Sequence, residues 1–210
     1  SELPDTVAYT VKRPIGVVAI ITPWNFPLAI PAWKIAPALV CGNTIVYKPA
    51  SATPLSAVKL VEIFEEAGLP AGVLNLVTGP GASVGNTLVE DERVGGISFT
   101  GSTEIGTSIT ARGSELLKKV QCEMGGKNAA IILNDADLDK AVPGVVQGAF
   151  GSTGQRCTAT SRAIVEDGIY NEFMDALLAQ TEDLTVGDGM DSSKDVAPLA
   201  SRNQLDTVLA

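Results

Sequence analysis

The chain has 210 residues, of which 45% are hydrophobic and 19% charged, a composition typical of a soluble globular protein of one large domain or slightly more. Its net charge of -9 argues against nucleic acid and anionic membranes as partners, and no apolar run reaches the roughly 18 residues that a membrane-spanning helix needs. The sequence contains no histidine, which excludes Ser-His-Asp and Cys-His hydrolases and histidine metal sites.

The amino-terminal segment has no apolar core of a signal peptide, and the three cysteines form no CxxC pair. Three cysteines cannot all pair in disulfides, which suits a reducing compartment. We therefore expect a cytoplasmic protein. Cys41 and Cys122 lie in apolar helix and strand patterns, and we expect both to be inert buried thiols.

Short β-branched runs alternate with helical patterns in the first part of the chain. Strands are predicted at 16–21, 43–48, 72–77, 95–100 and 118–123, and helices at 31–42, 53–68, 82–91 and 102–113. Apolar strands separated by helices indicate a parallel sheet covered on both faces, an α/β fold.

The helix at 54–67 has the clearest pattern. Pro54 lies in its first turn and Gly68 ends it. The helical period assigns an apolar face to Leu55, Val58, Val61, Ile63 and Phe64.

A second set of elements begins after Gly126. A strand at 129–133 precedes a helix capped by Asp137, and a strand at 162–166 precedes a helix at 169–183. A last helical pattern at 201–210 has no glycine cap. We expect an arm at 1–13, a cofactor domain at 14–125 and the opening of a second domain at 126–210.

Two glycine-rich segments follow strands and precede helices, "GPGASVG" at 79–85 and "GSTEIG" at 101–106. Backbone amides there could face a phosphate, although neither segment is a complete GxGxxG and both could be plain turns. "DADLDK" at 135–140 lacks the glycine and glutamate of a calcium loop, and we expect no metal site.

Three polar residues lie at strand ends, where open α/β sheets place their ligands: Asn25, Lys48 and Glu123. Each also has a plainer interpretation, as a turn residue, a solvated lysine and a surface carboxylate. Cys157 lies beside Arg156 in "GQRCT", and a neighbouring cation favours a reactive thiolate.

Taken together, "PWNFP", "KPAS", "FTGSTEIG", "EMGGKN" and "GQRCT", in this order and spacing, resemble the aldehyde dehydrogenase superfamily. The resemblance implies a Rossmann-like parallel-sheet cofactor domain followed by the start of a second α/β catalytic domain. It implies that Cys157 attacks an aldehyde, that Asn25 and the Cys157 amide hold the oxyanion, and that Glu123 activates the water that hydrolyses the thioester. Arg156 suits a substrate with a distal carboxylate, and the segment is similar to that of 2-oxoglutarate semialdehyde dehydrogenases.

The resemblance also implies an NADP or NAD site. Lys48 and Ser51 are expected at the adenosine ribose, and Gly101, Ser102 and Gly106 at the diphosphate. A serine at 51, where many NAD-preferring members carry glutamate, removes a charge that would repel a 2'-phosphate, so we expect NADP to be accepted. The remaining expected cofactor residues are Thr22, Pro23, Trp24, Gly81, Phe99, Thr100 and Gly125.

Alternatives stay open on the sequence. A CoA-acylating member would pass the thioester to CoA, although Glu123 favours hydrolysis. A truncated, non-catalytic remnant would keep the fold alone, and the family's E-x-F-G-P segment is not in this sequence. A small aldehyde is the expected substrate, and the full-length protein is expected to be a homodimer or homotetramer.

Overall fold

The computed structural model describes residues 5–209. The chain divides into two compact units, and the boundary in the sequence falls between Met124 and Gly125. The predicted arm at 1–13 lies partly outside the described residues, and from Asp5 to Arg13 it forms no helix or strand. Among residues 5–209, no helix is both long and apolar enough to cross a membrane.

The first unit alternates strands and helices as the sequence predicts. In chain order its elements are β1 Val17–Ile21, α1 Ala29–Val40, β2 Thr44–Lys48, α2 Pro54–Glu66, β3 Leu74–Leu76, α3 Asn86–Glu90, β4 Val94–Thr100, α4 Thr103–Glu115 and β5 Lys119–Glu123. A π-helical turn, Gly81–Gly85, leads into α3.

All five strands are parallel, in the order β3-β2-β1-β4-β5. The predicted α/β fold with a parallel sheet is confirmed. The chain leaves β1 towards β2 and β3 and later returns to its other side for β4 and β5. This reversal of strand order is the point at which doubly wound sheets leave a crevice at their carboxyl edge.

The first unit is stabilised by two apolar clusters, one on each face of the sheet. β1 contributes to both, with Val18 and Ile20 in one cluster and Ala19 and Ile21 in the other. Successive side chains of a strand point to opposite faces, so this central strand must be apolar throughout.

Two expectations about burial are wrong. Leu55 and Ile63 of α2 are 77% and 60% exposed, because the helix instead turns Ala57, Leu60, Val61 and Phe64 towards the sheet. Cys41 is exposed rather than buried. It follows the last residue of α1, where the chain turns at Gly42 with a φ of 79°.

The second unit contains β6 Asn128–Ile132, α5 Leu138–Phe150, β7 Thr160–Val165, α6 Tyr170–Glu182 and α7 Arg202–Leu209. β6 and β7 are parallel neighbours. α5 and α6 share one apolar cluster with them, centred on the fully buried Phe173. The predicted cap of α5 is confirmed, since the Asp137 carboxylate accepts a hydrogen bond from the Asp139 amide at 3.1 Å.

Candidate active site

The carboxyl ends of four strands meet at one edge of the first unit. The register places Ile21 beside both Lys48 and Phe99, and Thr100 beside Glu123. The hydrogen bonding continues one residue further, because the Thr22 amide donates to the Lys48 carbonyl at 3.2 Å and the Gly101 amide to the Glu123 carbonyl at 3.1 Å. We call this row of strand ends the carboxyl edge.

Asn25 lies in the segment that leaves β1 at the carboxyl edge. Thr22 is buried, and Pro23, Trp24 and Asn25 are half-buried. The segment enters α1 at Ala29, and the Ile30 amide donates to the Phe26 carbonyl at 3.2 Å. A helix that begins directly after this turn fixes where the Asn25 side chain leaves the backbone.

Lys48 ends β2 with its side chain only 4% exposed. Among residues 5–209 its ammonium donates one hydrogen bond, to the Pro49 carbonyl at 2.9 Å. Burial lowers the pKa of Lys48, because it disfavours the charged form. An ammonium has three N–H donors, so this buried cation keeps donors for a ligand at the carboxyl edge.

The turn after Lys48 lies against the first glycine-rich segment. Ser51 is exposed, and its hydroxyl donates to the Gly79 carbonyl at 3.2 Å. Gly79 has a φ of 144°, and a side chain there would meet Val84. No heavy atom lies within 4 Å of where a Cβ on Gly81 would stand, so the backbone at Gly81 is open to a close approach.

The second glycine-rich segment covers the ring of Phe99, which is buried at the end of β4. A Cβ on Gly101 would stand 2.4 Å from the ring's Cζ atom, and one on Gly106 would stand 2.5 Å from the Met124 sulfur. Ser102 caps α4, and its hydroxyl accepts from the Ile105 amide at 3.4 Å. The absence of a side chain at both glycines therefore lets the start of α4 lie close to the sheet.

Glu123 belongs to a hydrogen-bonded network that the sequence does not predict. The Gln121 amide nitrogen donates to a carboxylate oxygen of Glu123 at 2.8 Å. Lys34 of α1 reaches the Gln121 carbonyl at 3.1 Å and the Ser98 hydroxyl at 2.9 Å. Burial lowers the pKa of Lys34, while the negative charge of Glu123 acts in the opposite direction.

Cys157 lies in the second unit and is exposed. Asn128 of β6 fixes its backbone, since the Asn128 side-chain amide donates to the Cys157 carbonyl at 2.8 Å and to the Ala159 carbonyl at 3.4 Å. A Cβ on Gly126 would stand 3.6 Å from the same Cys157 carbonyl. Gly126 and Asn128 thus lie against the backbone of Cys157, and a Cβ on Gly125 would meet no heavy atom within 4 Å.

Two residues just before Cys157 adopt left-handed backbone conformations, Ser152 with a φ of 54° and Thr153 with a φ of 60°. Such conformations are uncommon in non-glycine residues and are found at functional sites. Arg156 supports this turn, because its Nε donates to the Ser152 hydroxyl at 3.1 Å. Its guanidinium lies over Gly151, where a Cβ would stand 2.5 Å from Nη2.

The predicted residues fall into two groups, one in each unit. Asn25, Lys48, Thr100, Gly101 and Glu123 share the carboxyl edge of the first unit with their neighbours. Cys157, Arg156 and Gly125 belong to the second. No group of three or more His, Cys, Asp or Glu side chains within residues 5–209 could hold a metal ion.

The whole chain, residues 1–210, matches the aldehyde dehydrogenase family. The chain belongs to this family.

The α-ketoglutaric semialdehyde dehydrogenase of Bacillus subtilis is 52% identical over 206 residues, which are 98% of this chain and 42% of that protein. Solved structures include an NADP-dependent enzyme of Escherichia coli, with a TM-score of 0.90 and 45% identity over 93% of this chain and 41% of that one. Betaine aldehyde dehydrogenase of Staphylococcus aureus in complex with NAD+ has a TM-score of 0.89 and 38% identity, over 93% and 39% of the two chains. The chain thus spans about two fifths of the length of these relatives.

Proposed function

We propose that this chain supplies the cofactor site, the nucleophile and the general base of an NAD(P)-dependent aldehyde dehydrogenase. The observation that carries the proposal is that Asn25, Glu123 and Cys157 all stand in a chain that matches the family over its whole length. If Asn25, Glu123 and Cys157 had only structural roles, the presence of each of the three in a motif of this family would be a coincidence. A metal is not part of the proposal.

The proposed reaction begins at Cys157. Its thiolate attacks the aldehyde carbon, a C–S bond forms, and the carbonyl oxygen becomes an oxyanion that the Asn25 amide and the Cys157 backbone amide stabilise. Each such donor is typically worth about 2.7–4 kcal/mol of barrier. A cysteine on a turn held by Asn128 and Arg156 loses little freedom when it reacts.

A dinucleotide held by Lys48 and the glycine-rich segments would supply the oxidant, because its nicotinamide would take up the hydride that the carbon attached to sulfur must lose. Glu123 then takes a proton from a water molecule, the resulting hydroxide adds to the thioester, and the C–S bond breaks to release the acid and the Cys157 thiolate. Aldehyde, water and NAD(P)+ give acid, NAD(P)H and a proton.

The residues present fit a dinucleotide. The buried Lys48 ammonium keeps N–H donors that the described residues do not use, and a 2'-phosphate or a ribose hydroxyl supplies suitable acceptors. Ser51 adds no negative charge beside them. Gly81 is open to a close approach. We propose that the chain accepts NADP as well as NAD, with Gly101, Ser102 and Gly106 near the diphosphate.

We propose a semialdehyde that carries a distal carboxylate as the substrate, with 2-oxoglutarate semialdehyde as the first candidate. The support is the Bacillus subtilis relative and the cation of Arg156 beside Cys157. We also propose a cytoplasmic location, since all three cysteines are free thiols, and a homodimeric or homotetrameric full-length protein.

The experiment compares single Cys-to-Ser variants at the three cysteines in an assay of NADPH formation from 2-oxoglutarate semialdehyde. Cys157→Ser should abolish turnover and leave the Kd for NADP nearly unchanged, while Cys41→Ser and Cys122→Ser serve as matched controls. Acid formed without CoA identifies hydrolysis, and acyl-CoA formed only when CoA is added would identify the CoA-acylating reaction instead. Turnover retained in Cys157→Ser would disprove the nucleophile assignment.

A further inference from the structure

Gln121 occupies a specific position relative to Glu123. The two residues lie two apart on the edge strand β5 and therefore on the same face of the sheet. The Gln121 side-chain nitrogen donates to Oε1 of Glu123 at 2.8 Å. Among residues 5–209, Oε2 of Glu123 makes no hydrogen bond, which leaves it available for a water molecule.

The orientation of the Gln121 amide is determined by two other donors. Its carbonyl oxygen accepts from the Lys34 ammonium at 3.1 Å and from the Ser98 hydroxyl at 2.7 Å. A flipped amide would point its own N–H groups at an ammonium, which cannot accept a hydrogen bond. The nitrogen of Gln121 therefore has to face Glu123.

Lys34 is in turn fixed by its acceptors. Its ammonium donates to the Ser98 hydroxyl at 2.9 Å, the Phe99 carbonyl at 3.2 Å and the Gln121 carbonyl. These three bonds use all of its donors. Donation runs in one direction, from Lys34 through Gln121 to Glu123, and bonds in such a chain strengthen one another.

We propose that Gln121 is a positioning residue for Glu123. It binds one carboxylate oxygen so that the other is presented to water, and it connects the base on β5 to a fixed cation on α1. The inference rests on the proposed function, in which Glu123 acts only in the hydrolysis of the thioester. Loss of the Gln121 amide should therefore slow that step and leave the attack of Cys157 unaffected.

The kinetic test uses Gln121→Met, which keeps the length of the side chain and removes its donor and acceptor. Lys119→Met is the matched control, because Lys119 lies on the same face of β5 and its side chain makes no hydrogen bond to the network within residues 5–209. Each variant is mixed with 2-oxoglutarate semialdehyde and NADP, and the acylated Cys157 peptide is quantified by mass spectrometry after rapid quenching.

We expect the rate at which the acyl adduct first forms on Cys157 to be unchanged in Gln121→Met. Acid production should fall about 10-fold, a part of the 10²–10⁴-fold that a general base typically contributes, and the acyl adduct should accumulate on Cys157. Lys119→Met should behave as the unmodified chain. Acid production and adduct levels equal to those of the unmodified chain would overturn the inference. An unmodified chain that forms no adduct would instead overturn the proposed function.

A second measurement needs no turnover. The side-chain amide resonances of Gln121 in a ¹H–¹⁵N spectrum should shift in Glu123→Gln, because a charged acceptor is replaced by a neutral one, and should stay in place in Lys119→Met. Resonances that do not respond to Glu123→Gln would show that the contact is not made in solution and would overturn the inference irrespective of catalysis.

Discussion

Gly101→Ala should destabilise the first unit through a single, identifiable collision. The added methyl group would stand 2.4 Å from the Cζ atom of Phe99 and 3.1 and 3.2 Å from two further ring atoms, whereas carbon atoms prefer separations of about 3.5–4.0 Å. The ring is 5% exposed and packed in the apolar cluster on that face. It would have to move by more than about 1 Å within a close-packed core.

Overpacking of this kind typically costs about 1–3 kcal/mol. With a urea dependence of about 2 kcal/mol per molar, a cost of about 2 kcal/mol lowers the midpoint of unfolding by about 1 M. The assay is tryptophan fluorescence, because both tryptophans of the chain, Trp24 and Trp33, belong to the first unit.

The double variant with Phe99→Leu isolates the cause. A leucine gives the methyl group room, so Gly101→Ala should cost less than about 0.5 kcal/mol in that background, a departure from additivity expected for residues in contact. An equal loss in both backgrounds, or no loss in either, would refute the reasoning from Phe99.

Three further variants test other contacts. Asn43→Ala should lower the free energy of unfolding, measured with urea, by about 2–4 kcal/mol. The reason is that the buried Asn43 side chain accepts hydrogen bonds from two backbone amides and donates one to the Ala38 carbonyl. A loss below about 1 kcal/mol would contradict this. Lys48→Met should weaken NADP binding roughly 10- to 100-fold in a titration. Since burial lowers the pKa of Lys48, the folded chain releases this proton before the unfolded chain does. The free energy of unfolding should therefore increase as the pH rises towards 10.5, the ordinary pKa of a lysine. This increase should be absent in Lys48→Met. Ser51→Glu should shift kcat/KM towards NAD by roughly 10-fold or more, and an unchanged NADP/NAD ratio would exclude Ser51 from cofactor choice.

Element types were predictable from the sequence where local chemistry determines them. Pro54 and Gly68 mark the ends of α2, and β-branched runs mark the strands. The buried face of α2 was less accessible. The helix carries more apolar residues than one face can bury, and only the position of the sheet decides that Phe64 packs inwards while Leu55 and Ile63 remain exposed.

The network around Glu123 lies beyond such reasoning. Its members come from α1, β4 and β5, and Lys34 is 87 residues from Gln121. They meet only because β4 lies between β1 and β5, and periodicity in one sequence does not reveal strand order. The strand-end location of Glu123 was predictable, whereas the residues that orient it were not.

The left-handed residues before Cys157 are a second case. Left-handed conformations are usually signalled by Gly, Asn or Asp, and Ser152 and Thr153 give no such signal. Contacts from outside the turn sustain them, including the bond from the Thr153 hydroxyl to the Ala197 carbonyl at 2.8 Å, a partner 44 residues away.

The central place of β1 in the sheet separates the two residues for which we propose different tasks, cofactor binding and hydrolysis. Lys48 ends the strand on one side of β1, and Glu123 ends the second strand on the other side. Three strand spacings, about 14 Å, lie between them. Substitutions that far apart act independently as a rule. If the proposed roles hold, the choice of dinucleotide and the hydrolysis step can change independently in this architecture, and a substitution on one side of β1 need not alter the other side.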